Sequence, residues 1–162
     1  MPEIPRLLDQ LRRAFDGDPW CGPSLLTNLE GTTAAQAAQY PIKNAHSIWE
    51  IVIHVTSWTD IVRRRLANNK PLQPGDAEDW PVLPADLREA NWQVALDDLR
   101  RAQNELLSFV ETLPEEMLDR TIGATFEPPQ GDSYTAYQML HGMAQHYLYH
   151  AGQVVLLRKL LV

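Results

Sequence analysis

His146 and His150 stand four residues apart in a stretch from Ser133 to Val162 whose apolar residues recur at helical spacing. Residues four apart lie one turn above each other on one helix face, so both imidazoles leave the same side. A buried imidazole has two ring nitrogens to satisfy. A metal ion shared with a ligand from another helix would satisfy them. Ordinary placement in a core or on a surface is the alternative, and the pair spacing alone does not decide between them. His54 supplies the third imidazole that the metal reading needs, beside Ile51, Val55 and Trp58 on the apolar stripe of a separate stretch. Three imidazoles with an open fourth position form the donor set of catalytic rather than structural zinc, and they suit nickel as well. The candidate metal ligands are therefore His54, His146 and His150.

The neighbouring polar residues have competing explanations. Glu50 lies one turn before His54 and could orient a ligand, but Ser47-Ile-Trp-Glu50 also reads as a capping box. Gln153 follows His150 by nearly one turn and is placed to bond a ligand ring, a metal-bound water or another helix. His46 precedes the Ser47 cap and reads as a staple against Ile51. His141 stands about 140° round the helix from His146, and so points off the stripe. Tyr147, Tyr149 and the tryptophans read as core residues. No residue is assigned a catalytic role, and neither a Ser-His-Asp context nor a glycine-rich phosphate loop is present.

Four amphipathic stretches must position these side chains. Ile4, Leu7, Leu8, Leu11, Ala14 and Phe15 give the first helix. Short helical pieces follow around Leu25–Leu29, capped by Gly31, and around Thr33–Gln36. The second long helix starts at Ser47, carries Ile51, Val55, Trp58, Val62 and Leu66 inward, and ends near Asn68-Asn69. Residues 70 to 84 hold five prolines and glycines and read as a connection rather than an element, long enough to cross between parallel helices. The third helix buries Trp92, Ala95, Leu99, Ala102, Leu106, Val110 and Leu113, and Pro114 stops it. A loop through Pro128-Pro129-Gln130-Gly131 leads to the fourth, with Tyr137, Leu140, Ala144, Tyr147, Leu148, Ala151, Val155 and Leu156 as its stripe. No segment alternates long enough to build a sheet. The fold class is all-α, a four-helix bundle, with residues 1–162 as a single domain.

Composition narrows the partners. A formal charge of −7 without a basic tract excludes nucleic acid. The run Arg63-Arg64-Arg65 is the one basic cluster, and near a helix end it complements the helix dipole rather than binding an anion. No apolar run is long enough to span a membrane. Met1 to Arg13 is amphipathic with both charge signs, which fits no signal peptide. A single cysteine, Cys21, forms no internal disulfide and fits a reducing cytoplasm.

The segments His46-Ser-Ile-Trp-Glu-Ile-Val-Ile-His54-Val-Thr-Ser-Trp58 and His141-Gly-Met-Ala-Gln-His146-Tyr-Leu-Tyr-His150-Ala-Gly-Gln153 resemble the DinB/YfiT superfamily of four-helix metalloproteins. Trp20-Cys-Gly-Pro-Ser-Leu-Leu extends the resemblance over nearly the whole chain. The resemblance places the family's metal-binding histidines on His54, His146 and His150. It implies an up-down-down-up bundle with the long crossover between the second and third helices, and frequent homodimers. It also implies a divalent metal, zinc or nickel, that activates a low-molecular-weight thiol for S-transfer to a small-molecule substrate. Relatives often carry His where this chain has Cys21. A metal-dependent hydrolase and a non-catalytic, stress-related metal-binding protein are the alternatives. Because each imidazole must be neutral to bind, metal loading is expected to weaken as pH falls through roughly 6.5.

Overall fold

The computed structural model describes residues 2–123 and 134–161, and every regular element among them is helical. The expected loop through Pro128–Gly131 lies outside the described residues. Four long helices dominate: α1 (Glu3–Phe15), α4 (Ile48–Asn68), α6 (Glu89–Glu111) and α7 (Ala136–Lys159). Short helices α2 (Leu25–Leu29) and α3 (Ala34–Ala37) fill the first connection. A further short helix, α5 (Asp76–Asp79), lies within residues 70 to 84, so that segment is an element-bearing strap rather than a plain connection. An isolated bridge between Thr121 and Thr135 is the only β pairing among the described residues.

Sequence chemistry sets where the two site-bearing helices begin. At α4 the Ser47 hydroxyl accepts from the Glu50 amide, and the Glu50 carboxylate accepts from the Ser47 amide. Thr135 and Gln138 build the same reciprocal cap at α7. Each cap satisfies backbone donors that the first turn leaves without partners. At its far end α4 closes on Asn69 in the left-handed region, and the Asn69 side chain accepts from the Gly123 amide. Gly123 has φ +79° and lies against Pro71, where an added Cβ would come within 2.2 Å of the ring. No other residue fits there.

Helix α4 packs on α6 and α7, and α1 packs on the same two helices from the other side. Their apolar faces form one core, with Trp49, Trp92, Leu99, Leu106 and Tyr147 fully buried. The stripes expected for α1, α4 and α6 are largely the faces that are buried. Helix α7 departs from its expected stripe at two positions. Met139, Met143 and Leu157, which extend the expected stripe, are buried with Leu140, Ala144, Tyr147 and Ala151, but Tyr137 and Leu156 are exposed and Val154, off that stripe, is buried. This helix is apolar nearly all round, so its pattern does not single out one face.

A buried polar chain crosses the core. Tyr147 Oη donates to Gln103 Oε1 at 2.6 Å and lies 3.1 Å from the Thr59 hydroxyl. Gln103 Nε2 reaches the Leu11 carbonyl at 3.4 Å, so all four long helices contribute an atom. Removing one member leaves the others buried and unpaired, which costs more than losing the bond itself. Tyr147→Phe should therefore lower stability by about 1–3 kcal/mol. Adding Gln103→Met to that variant should cost much less than Gln103→Met does alone. Urea unfolding of the single and double variants measures the coupling, and strictly additive losses would contradict it.

Candidate metal centre

Helix α4 brings His54 to α7, and α7 presents His146 and His150 from consecutive turns. His54 Nε2 lies 3.2 Å from His146 Nε2, and His150 Nε2 lies 2.9 Å from the same atom. The three donor atoms all lie within 4.8 Å of one another. His54 and His150 are almost fully buried, at 5% and 3% exposure.

The opposite edge of two of the rings decides their tautomers. His54 Nδ1 is 2.6 Å from the Asp79 carbonyl, which can only accept, so the proton sits on Nδ1. His150 Nδ1 is 2.7 Å from Gln153 Oε1 and donates in the same way. Both Nε2 atoms are then lone pairs aimed at His146. His146 has at most one proton to offer there, so hydrogen bonding between neutral rings leaves the cluster short of donors. One cation accepts all three lone pairs. Ligand nitrogens about 2.0–2.1 Å from a tetrahedral ion stand about 3.3 Å apart, close to the observed spacings. The donor set fits a divalent metal.

Electrostatics favours the same state. Burial pushes the His146 pKa down to about 3, helped by the charges that His150 and His54 would carry. Burial likewise lowers His150 to about 4, against the Gln153 hydrogen bond. His54 is lowered by burial too, opposed by the Asp79 carbonyl and carboxylate. The rings are held neutral and ready to ligate. Proton competition thus sets in well below the value of roughly 6.5 that free histidine suggests.

The strap over α4 supplies what sequence reasoning missed. Trp80 stacks on His54 with centroids 3.8 Å apart, and His46 stacks on the other face of the indole at 3.4 Å. Asp79 accepts from Trp58 Nε1 at 2.6 Å, and the Ser57 hydroxyl donates to the Glu78 carbonyl at 2.5 Å. Glu78 also pairs with Arg64. A tryptophan beside two acidic residues in a proline-rich connection was the available signal. His46 therefore lies against Trp80. Glu50 holds the α4 cap and accepts from Tyr40 Oη at 2.9 Å, with no contact to the three histidines. Gln153 bonds the His150 ring. His141 faces away, edge-on to Tyr137 in a groove against α1, and Cys21 is exposed.

Two cavities flank the cluster and share Trp80, His54 and His146 as walls. One, of about 460 Å³, opens past Ile42, Tyr149 and Leu156. The other, of about 420 Å³, runs along Trp58, Met139 and Met143 to Arg65. Both are large enough for a small molecule.

Residues 22–154 match the family model described as the DinB superfamily. The chain belongs to the DinB superfamily. A crystal structure of a conserved protein from Enterococcus faecalis has a similar fold, with a TM-score of 0.69 and 21% sequence identity. The match covers 99% of this chain and 98% of that one. A search of curated proteins finds no match. Within the DinB superfamily match lie all three histidines and the whole strap, so the family and the geometry meet at the same residues.

The depressed pKa values have a consequence for the metal-free protein. Unfolded histidines take up protons below about 6.5, whereas folded His146 and His150 do not until about 3 and about 4. The unfolded state then binds more protons, so stability falls as pH drops through that window. The slope approaches about 1.4 kcal/mol per pH unit for each such histidine. Urea midpoints between about pH 6.5 and 5 should show this loss, and His146→Gln should flatten it. An unchanged slope in that variant would contradict the assignment.

Proposed function

We propose that this chain is a divalent-metal-dependent enzyme that activates a low-molecular-weight thiol for S-transfer. The observation that carries the reading is the convergence of three neutral imidazoles between two cavities, two of them with the proton held on Nδ1 and Nε2 left free. His54, His146 and His150 would hold the ion, and zinc and nickel both suit three imidazoles. Bound there, the metal would supply charge that lowers the pKa of a thiol toward neutrality. The protein's own part is orientation and exclusion of water. The Asp79 carbonyl and Gln153 amide keep two rings from turning, and Trp80 covers the face of His54.

Two cavities meeting at one cluster favour a two-substrate reaction, a thiol on one side and its electrophilic acceptor on the other. The same reading arranges α1, α4, α6 and α7 as an up-down-down-up bundle in one domain, with the strap as the crossover from α4 to α6. Metal analysis of untagged protein, followed by a screen of thiols against electrophilic acceptors, is the direct test. Turnover that needs both metal and thiol supports the proposal. Metal-dependent ester or amide hydrolysis without any thiol would replace it with the hydrolase.

Metal should also stabilise the fold, by about 2.7 kcal/mol when the free ion is a hundred times its Kd. Thermal melts with and without zinc or nickel should show this for the wild type at pH values one unit either side of about 6.5. His146→Ala should lose the gain, and His141→Ala should keep it. No gain in wild type with either metal, or equal loss in both variants, would refute the site.

A further inference from the structure

Helix α4 carries three consecutive arginines with different fates. Arg63 pairs with Asp60 at 2.6 Å and reaches toward Glu105. Arg64 pairs with Asp60 at 2.7 Å and also with Glu78. Arg65 turns inward, is 9% exposed, and has no carboxylate partner among the described residues. Its Nε and Nη2 both donate to the Leu72 carbonyl, at 2.8 and 2.5 Å. That single acceptor leaves three of the five guanidinium N–H groups unused. The guanidinium lies over the Trp58 ring, 5.3 Å from its centroid.

A largely buried guanidinium whose free N–H groups face a cavity is suited to an anion beside it. Burial pulls the Arg65 pKa down, and the Tyr134 phenol is the one titratable group that acts against this. Arg65 and Tyr134 both line the cavity that ends at His54 and His146. Its walls there include Val62, Met139 and Met143, apolar side chains that lower the local dielectric and strengthen a charge pairing. The cavity's carboxylate, Asp79, lies at the histidine end, bonded to Trp58 Nε1. Trp58 links the two ends: its ring lies 6.3 Å from that of His146 and under the Arg65 guanidinium.

We infer that Arg65, with the Tyr134 hydroxyl, is an anion subsite that takes a carboxylate on the substrate whose reacting end lies at the three histidines. The inference rests on the proposed thiol reading and adds the substrate class: a carboxylate-bearing thiol, held by its anionic end in the Arg65 cavity. The other cavity, whose mouth is Ile42, Tyr149 and Leu156, is left to the more apolar partner. A guanidinium matches a carboxylate through paired N–H bonds, which lysine cannot reproduce. Of the arginine run, Arg65 lies in the last turn of α4, where a cation complements the helix dipole as expected, whereas Arg64 is tied to the strap.

The test loads the full chain with cobalt(II) and titrates 4-mercaptobutyrate and 4-mercaptobutanol, reading the thiolate-to-cobalt absorption band. Wild type should bind the carboxylate thiol about tenfold more tightly. In Arg65→Met the two affinities should become equal, through loss on the carboxylate side alone. Arg65→Lys and Tyr134→Phe should each narrow the ratio, and they carry the comparison if Arg65→Met does not fold by circular dichroism. Equal affinities in wild type, or a ratio that survives these substitutions, overturns the subsite and leaves the thiol reading standing. If neither thiol gives the band, the thiol reading fails. The subsite is then decided by butyrate on metal-free protein, read from the Trp58 indole N–H resonance. A shift that Arg65→Lys weakens supports it, and no shift in wild type overturns it.

Discussion

The hydrogen bond from His54 Nδ1 to the Asp79 carbonyl connects the chemistry of the site to the path of the chain. On one side it keeps the proton off Nε2, which leaves that atom free to ligate. On the other it draws the strap down onto α4 and lays Trp80 against the imidazole. Both cavities use Trp80 as a wall, so this one contact shapes the spaces on either side of the cluster. The acceptor is a backbone atom, yet the Asp79 side chain reinforces it by binding Trp58 one turn further along the same helix. Ser57 and Arg64 continue that line of attachments to Glu78. The helix period has placed residues 54, 57, 58 and 64 where one strap can reach them all.

Helix α7 carries two different buried polar systems at adjacent positions. His146 and His150 face the cluster, and Tyr147, about 100° round, enters the core toward Gln103 and Thr59. A rotation of α7 that improved one system would break the other. The core chain thus acts as a stop that holds the histidines at their angle, and an apolar core alone would not define that angle on a helix apolar nearly all round. Buried polar groups are costly unless fully paired, which is why they define position more sharply than apolar contacts do.

Much of this was legible in the sequence. The two caps, the one-turn spacing of His146 and His150, and the apolar neighbours of His54 are local signals, and local signals survive into the fold. The burial of α1, α4 and α6 followed from their periodicity. Helix α7 was misphased at Tyr137 and Leu156 because its apolar residues occupy every face. Trp80 and Asp79 were passed over because a strap has no period, and its position depends on partners distant in sequence. Arg65 is a different case. It follows His54 by eleven residues, about three turns, which puts it on the histidine face; reading the three arginines as one basic cluster hid that phase.

The paired caps at Ser47 and Thr135 have a bearing on how such a chain can change. Each fixes where its helix starts, and each histidine is counted from there: His54 seven residues past Ser47, His146 eleven past Thr135. One residue inserted between cap and ligand turns the imidazole by about 100° and slides it about 1.5 Å along the axis. Most substitutions in the same interval leave the ring where it was. Length therefore matters more than residue identity within these two intervals. The connections are the places that can take an insertion or deletion, since an added residue there changes a loop and leaves the angular position of every ligand untouched.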